Sequence, residues 1–217
     1  MVDRVWLCNV YRNGDASRGY RPVGAVAQTR DLQQNHINRA FVELCNKLNR
    51  HEPVADADFP AELYAAPPFR AHKRPKRHLF VGGGPFVVSS EAADVLRAHN
   101  LGATRLLPVT LLFPNGATRV EGDWFYLVVR DQKAALRANV STGLHKFSNV
   151  DVFMPLDKDQ LKADNVVVSP NALDGPDIWF DPAIYLAVFL SERLKRALTV
   201  AKVAKHWDLV ACKVEAV

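Results

Sequence analysis

Seven aspartates crowd into residues 151–181, at positions 151, 157, 159, 164, 174, 177 and 181, against only Lys158 and Lys162. Paired carboxylates can act as general acid and base or hold a divalent cation, so this span is the first place to look for catalysis. Its surroundings argue otherwise. Pro155, Pro170, Asn171, Gly175, Pro176 and Pro182 are interspersed with the acids and mark loops, which reads as a solvated or partner-facing surface. Asp157, Asp159, Asp164, Asp174 and Asp177 are therefore candidate partner contacts. Trp179 joins them, because a large aromatic inside a charged rim is the composition of an interface anchor. The competing reading is that Trp179 and Phe180 plug the core ahead of the last helix.

A second charged stretch has the opposite sign. Arg70, Lys73, Arg74, Lys76 and Arg77 supply five positive charges with no acid among them. Residues 1–78 hold thirteen basic and eight acidic side chains and residues 79–217 fifteen of each, so this one run accounts for the net charge of +5. It suits an anionic partner, and nucleic-acid binding through 70–78 is the alternative function. Aromatic side chains do not interleave with the charges except Phe69 and Phe80 at the margins, which disfavours base stacking and leaves a solvated connector or a protein contact.

Other constellations fail on spacing. Gly82-Gly83-Gly84 lacks the Lys-Ser/Thr of a phosphate loop and the Gly-x-Gly-x-x-Gly spacing, and there is no Gly-x-Ser-x-Gly elbow, so it reads as a turn or bulge. No two of the seven histidines stand at the i, i+4 spacing of a helical zinc site. His99 ends an apolar stripe and reads as a hydrogen-bonded core residue. Cys8, Cys45 and Cys212 are odd in number and far apart, which suits reduced, packed thiols. These readings assign no catalytic residue, no metal and no cofactor, and point to a binding protein rather than an enzyme.

The elements that must carry these residues are legible by period. Val5 to Tyr11 is rich in β-formers and reads as an opening strand closed by Asn13-Gly14-Asp15. From Asp31 to Arg50 the apolar positions Ile37, Phe41, Leu44, Cys45 and Leu48 fall on one stripe, an amphipathic helix ended by His51-Glu52-Pro53. Residues 53–78 show no sustained period and read as a surface connector. Strands follow at 79–81 and 86–88, then at 106–113 and 124–129 around the turn Pro114-Asn115-Gly116.

Aligning the chain with itself reveals a repeat. Phe86-Val87-Val88-Ser89 and the helix after it match Val188-Phe189-Leu190-Ser191 and its helix without a gap. Ser89 and Ser191 stand as N-caps, whose hydroxyls satisfy a first-turn N–H for ~1 kcal/mol. The apolar stripes Ala92, Val95, Leu96, His99 and Leu194, Ala197, Leu198, Ala201 agree position for position. Each helix leads to a strand, Leu106 to Val109 in one copy and Leu209 to Val214 in the other. The expectation is an α+β fold with a mixed, mostly antiparallel sheet and a twice-occurring strand-Ser-helix-strand unit. Residues 1–78 form a strand-helix addition, ending in the basic connector, packed on a domain of residues 79–217.

Asp177-Ile-Trp-Phe-Asp181-Pro182, followed by Val188-Phe-Leu-Ser191-Glu192-Arg193-Leu194-Lys-Arg-Ala197-Leu198, resembles the C-terminal signature of the bacterial immunity-protein family of Myxococcus type, formerly a domain of unknown function, assigned to polymorphic toxin systems. Gly84-Pro-Phe-Val-Val-Ser89 with Leu107-Pro108-Val109 resembles it too, so the likeness spans about residues 79–217. It implies a small cytoplasmic protein, monomer or homodimer, that binds and neutralises a cognate protein toxin encoded beside it, with no catalytic residue. The opening residues lack a signal-peptide run and no stretch approaches the ~20 apolar residues of a membrane span, in keeping with a protein that has no membrane partner.

Overall fold

The computed structural model describes residues 4–13, 17–22, 39–66, 75–82, 84–147, 152–185 and 187–216. In chain order its first strands are β1 (Val5–Cys8), β2 (Ser17–Arg18), β3 (Tyr20–Pro22), β4 (Glu62–Ala65), β5 (Leu79–Gly82), β6 (Phe86–Ser89), β7 (Arg105–Leu112) and β8 (Trp124–Val128). They are followed by β9 (Leu144–Lys146), β10 (Phe153–Pro155), β11 (Val167–Val168), β12 (Ile178–Trp179), β13 (Val188–Ser191) and β14 (Leu209–Val214). The helices are α1 (Arg39–Asn49), α2 (Ser90–Arg97) and α3 (Glu192–Val200). The fold is α+β, in mixed sheets with mostly antiparallel pairing.

The repeat is deeper than the strand-Ser-helix pattern. One sheet contains the order β5-β6-β8-β7, the other β12-β13-β1-β14, every neighbour antiparallel. Registers match as well. Ser89 lies opposite Trp124 and Phe86 opposite Leu127, as Ser191 lies opposite Val5 and Val188 opposite Cys8. Pro108 faces Phe125 as Ala211 faces Trp6. Each unit is thus a four-stranded antiparallel sheet crossed by one helix, and β1 takes in the second the place β8 holds in the first. The second unit is a permuted copy, completed by the N-terminal strand. β1 ends at Cys8 rather than running to Tyr11, because Val10–Arg12 turns into a 3-10 helix.

Burial follows the strand period of two. Leu79, Val81, Phe86, Val88 and Leu127 of the first unit and Cys8, Ile178, Val188 and Leu190 of the second face a shared core with Ala92, Leu96, Leu194 and Leu198. The two helices meet in that core. Leu194 and Leu198 are fully buried, each contributing ~1.5–3 kcal/mol. The last stripe position is not buried in either copy: Ala201 is exposed and His99, half-buried, bonds the Val95 carbonyl through Nδ1.

The alternate residues of each sheet feed a separate outer core. Phe80, Val87, Trp124 and Tyr126 pack with Phe41 and Leu44 of α1. Val5, Leu7, Trp179 and Phe189 pack with Leu161, Val166 and Ala172. Residues 53–66 are not a bare connector, since β4 pairs parallel with β7 and antiparallel with β3; four residues are too few to show a period. Asp31 and Ile37, placed in the first helix by period, lie outside the described residues.

Candidate functional site

The two serine caps show how the scaffold spends its polar residues. Ser191 Oγ accepts from the Leu194 N–H at 3.2 Å and donates to Asp177 Oδ1, which also takes the Arg193 Nε–H. The other oxygen of Asp177 accepts the Asn100 N–H at 3.0 Å, and its backbone N–H donates to the Asn100 carbonyl at 2.7 Å. In the first unit the residue in register with Asp177 is His78, each standing just before the outer hairpin strand. His78 Nδ1 is 2.8 Å from Ser89 Oγ, which accepts the Ala92 N–H at 3.4 Å, and 3.9 Å from Glu91. Glu91 occupies the position of Arg193. The two cap clusters are equivalent in place and opposite in charge: His-Ser-Glu in one, Asp-Ser-Arg in the other.

This geometry sorts the candidate residues. Asp177 and Trp179 are each 1% exposed, so neither is a surface contact. Asp177 ties α2's exit to α3's cap. Trp179 fills the outer core, with Lys133 Nζ 3.5 Å above its ring. Lys133 Nζ also donates to the carbonyls of Ala172 and Pro176 at 3.2 and 3.0 Å, and burial pulls its ammonium down to about 8. Asp181 is buried as well and accepts the Ala135 and Leu136 N–H groups, both at 2.7 Å. Asp157, Asp159, Asp164 and Asp174 are exposed, Asp157 in an ion pair with Arg12 at 2.5 Å. Asp157 and Asp159 share the turn closed by the Gln160 and Leu161 N–H bonds to the Asp157 carbonyl, Asp164 sits on the next turn and Asp174 follows the 3-10 helix Pro170–Leu173, so they do not form one acidic loop. Arg70, Lys73 and Arg74 lie outside the described residues; Lys76 is exposed and Arg77 half-buried.

Gly82 and Gly84 serve the turn and its packing, and Gly83 lies outside the described residues. Gly82 N–H bonds the Pro85 carbonyl at 2.8 Å, Gly84 C=O accepts the Tyr11 hydroxyl at 2.7 Å, and a Cβ at Gly84 would collide with Cys45 Sγ. Burial raises the Cys8 and Cys212 thiols to about 12, which suits inert core residues.

The concave feature that sequence reading missed lies where α1 ends. His51 N–H bonds the Leu48 carbonyl at 3.1 Å and Glu52 N–H the Lys47 carbonyl at 2.8 Å, a Schellman end that places His51 at φ 57°. Glycine usually fills that position. Here the imidazole stacks on Phe180, centroids 3.7 Å apart and 15° from parallel, and its Nε2–H donates to the Ile184 carbonyl at 3.2 Å. Burial lowers its basicity, opposed by the Ile184 bond and by Asp181.

Two clefts open beside this stack. The larger, about 430 Å³, is walled by Phe147, Val152, Pro182, Ile184 and Tyr185 and rimmed by Asn49 and Arg50. The other, about 310 Å³, runs along Pro53, Val54, Arg130 and Gln132. Phe147 and Tyr185 meet edge to face at 6.1 Å in the larger one. Arg50 is held at the rim by Glu52 at 2.8 Å and Glu43 at 3.4 Å. The arrangement is an apolar, aromatic recess with a charged lip, able to take a large side chain. No sequence signal joins His51 to Phe180; the αL helix end, with Pro53 behind it, is the nearest to one.

Among the described residues no group of three or more His, Cys, Asp or Glu is placed to hold a metal ion, and no helix is long and apolar enough to cross a membrane. Comparison with known proteins finds no family model and no curated protein that matches this chain.

Proposed function

We propose that the protein is an immunity protein that binds a cognate toxin and neutralises it by occlusion, without turnover, and that the aromatic cleft beside His51 receives the toxin. The likeness of residues 79–217 to the immunity family motivates the first half. The cleft carries the second: a half-buried histidine held in a left-handed helix end, at a cost of ~1 kcal/mol, keeps its ring against Phe180 as the wall of an apolar recess with a charged rim. Interfaces concentrate binding energy in such recesses, where an aromatic or arginine anchor is fully desolvated.

Co-expression with the product of the adjacent gene tests the reading. The expected result is restored growth and a co-purifying complex, with Phe147→Ala/Tyr185→Ala weakening that complex at least ~30-fold, as loss of a hot spot does. Equal killing with and without the protein overturns the function. Full protection by a folded cleft variant with unchanged affinity overturns the cleft.

A further inference from the structure

Two chain segments remote in sequence bring positive charge to one spot. The segment before β5, carrying Lys76, Arg77 and His78, meets the 3-10 turn after α3 (Ala204–His206), with Lys205 and His206. His78 N–H donates to His206 Nδ1 at 3.3 Å and the two imidazoles lie 6.0 Å apart. Among the described residues Lys76, Arg77 and Lys205 take part in no ion pair, though Lys76 and Lys205 are exposed and Arg77 is half-buried. The charges facing His206 are Arg77, His78 and Lys205, which repel a proton, and Asp208, which attracts one; Glu91 stands behind His78. Asp208 is already engaged by the Asn13 amide at 2.7 Å. With Asp208 bound to Asn13 and Glu91 turned to His78, Lys76, Arg77 and Lys205 gather as like charge with no ion pair of their own, a surface that suits an anion.

The pseudo-equivalent junction shows what a purely structural solution looks like. There Asp177 N–H donates to a backbone carbonyl, that of Asn100, which no change of pH can remove. Here the acceptor is an imidazole nitrogen, so the tie exists only while Nδ1 of His206 is bare. A proton on Nδ1 would break the bond to His78 and leave an imidazolium beside Arg77 and Lys205, an arrangement that an incoming carboxylate stabilises.

We propose that this junction is a docking surface for an acidic segment of a partner protein, and that docking is coupled to protonation of His206. The partner is a protein rather than nucleic acid for two reasons. The carboxylates of Glu91 and Asp208 border the cations, which discrete side chains can avoid and a continuous phosphate ladder cannot. The aromatic rings nearest in sequence, Phe80 and Trp207, are fully buried and offer no face for a base. The proposal is separate from the cleft beside His51 and stands whether or not that cleft receives a toxin.

Fluorescence anisotropy on the full chain at low salt tests it, with a labelled poly-glutamate peptide and, in parallel, a labelled DNA duplex. Wild type is expected to bind the peptide, more tightly at about pH 6 than at about pH 8. Arg77→Glu/Lys205→Glu should weaken the peptide about tenfold. Lys158→Glu/Lys162→Glu, the same charge change elsewhere, should leave it within a factor of about two. His206→Asn, which keeps an acceptor but cannot charge, should bind with no pH dependence; thermal melts verify that each variant is folded. Equal loss in both double variants, a pH response retained in His206→Asn, tighter binding of the duplex than of the peptide, or no peptide binding at all would each overturn the proposal.

Discussion

The two units share strand order, register, cap serine and helix, yet solve the same local problem with opposite charges. In the second, Asp177 accepts the Ser191 proton and pairs with Arg193; in the first, His78 stands in its place and Glu91 in that of the arginine. The job common to both is that of a hydrogen-bond partner for the cap serine at the foot of the hairpin strand, which a ring nitrogen and a carboxylate oxygen both perform. The cation-π contact shows the same freedom. Phe125 and Trp6 are equivalent rings, but Arg97 covers one at 4.5 Å from the last turn of α2 and Lys195 the other at 4.3 Å from the first turn of α3. Apolar alternation sets the register of both units, and within it the polar partners are replaceable provided each cluster closes on itself.

The greatest asymmetry is covalent. The first unit's central strand, β8, follows β7 directly, whereas the second borrows β1 from the far end of the chain. Removing residues 1–8 would leave β13 and β14 without the strand between them and expose Phe189, Cys212 and the shared core. The expected outcome is loss of the cooperative urea transition and of slow amide exchange in β13 and β14. Grafting the same strand after β14, through a connection copied from residues 113–123, should restore both. If the truncated chain keeps a native-like transition, the two units are not equivalent in the way their registers say.

Next in size is Asp177. Replacing it with alanine strips Ser191, Arg193 and the Asn100 N–H of a buried acceptor, for an expected loss of ~3–5 kcal/mol in urea unfolding. His78→Ala, at the half-exposed counterpart, should cost only ~1 kcal/mol. A difference under about half that expected would mean that burial does not set the cost of losing the serine's partner.

Much of this is legible in the sequence alone. The caps, the stripes and the equivalence of the two helices are local patterns, and local patterns survive in sequence. The strand exchange is not local: nothing in Val5-Trp6-Leu7-Cys8 says that it belongs between 188–191 and 209–214. The cap clusters are hidden because the gap-free self-alignment sets His78 against Phe180, the second hairpin being three residues longer, and scores Glu91 against Arg193 as a mismatch. Asp177 reads as a loop acid because Gly175 and Pro176 precede it, while its burial depends on a serine and an arginine a hairpin away. The His51 cleft leaves still less trace, since a left-handed helix end is announced by glycine and here carries an imidazole.

Acid exposes a difference of intermediate size between the histidine-bearing and carboxylate-bearing junctions. Burial lowers the basicity of His51 and His206 below the ordinary 6.5. Below that value the unfolded chain takes up protons that the folded one refuses, so stability is full above about 6.5 and falls as pH drops toward the folded values. His51→Asn and His206→Asn should each flatten the slope of unfolding free energy against pH in that window. A slope unchanged in the double variant would remove both rings as its source.

The smallest effect bears most directly on whether the clusters are interchangeable. His78→Asp alone sets a carboxylate against Glu91, and Glu91→Arg alone sets a guanidinium against His78 and removes the acid that balances it. Together they rebuild the Asp-Ser-Arg arrangement of the second unit on the first. A double-mutant cycle read by urea unfolding should return a favourable coupling of about 1 kcal/mol, modest because Glu91 is two-fifths exposed and its charge is screened. Zero coupling would mean that the two clusters merely occupy equivalent places. A favourable coupling with Ser89→Ala made equally costly in both backgrounds would mean that the serine's hydrogen-bond partner, whatever its charge, is what the duplicated scaffold demands.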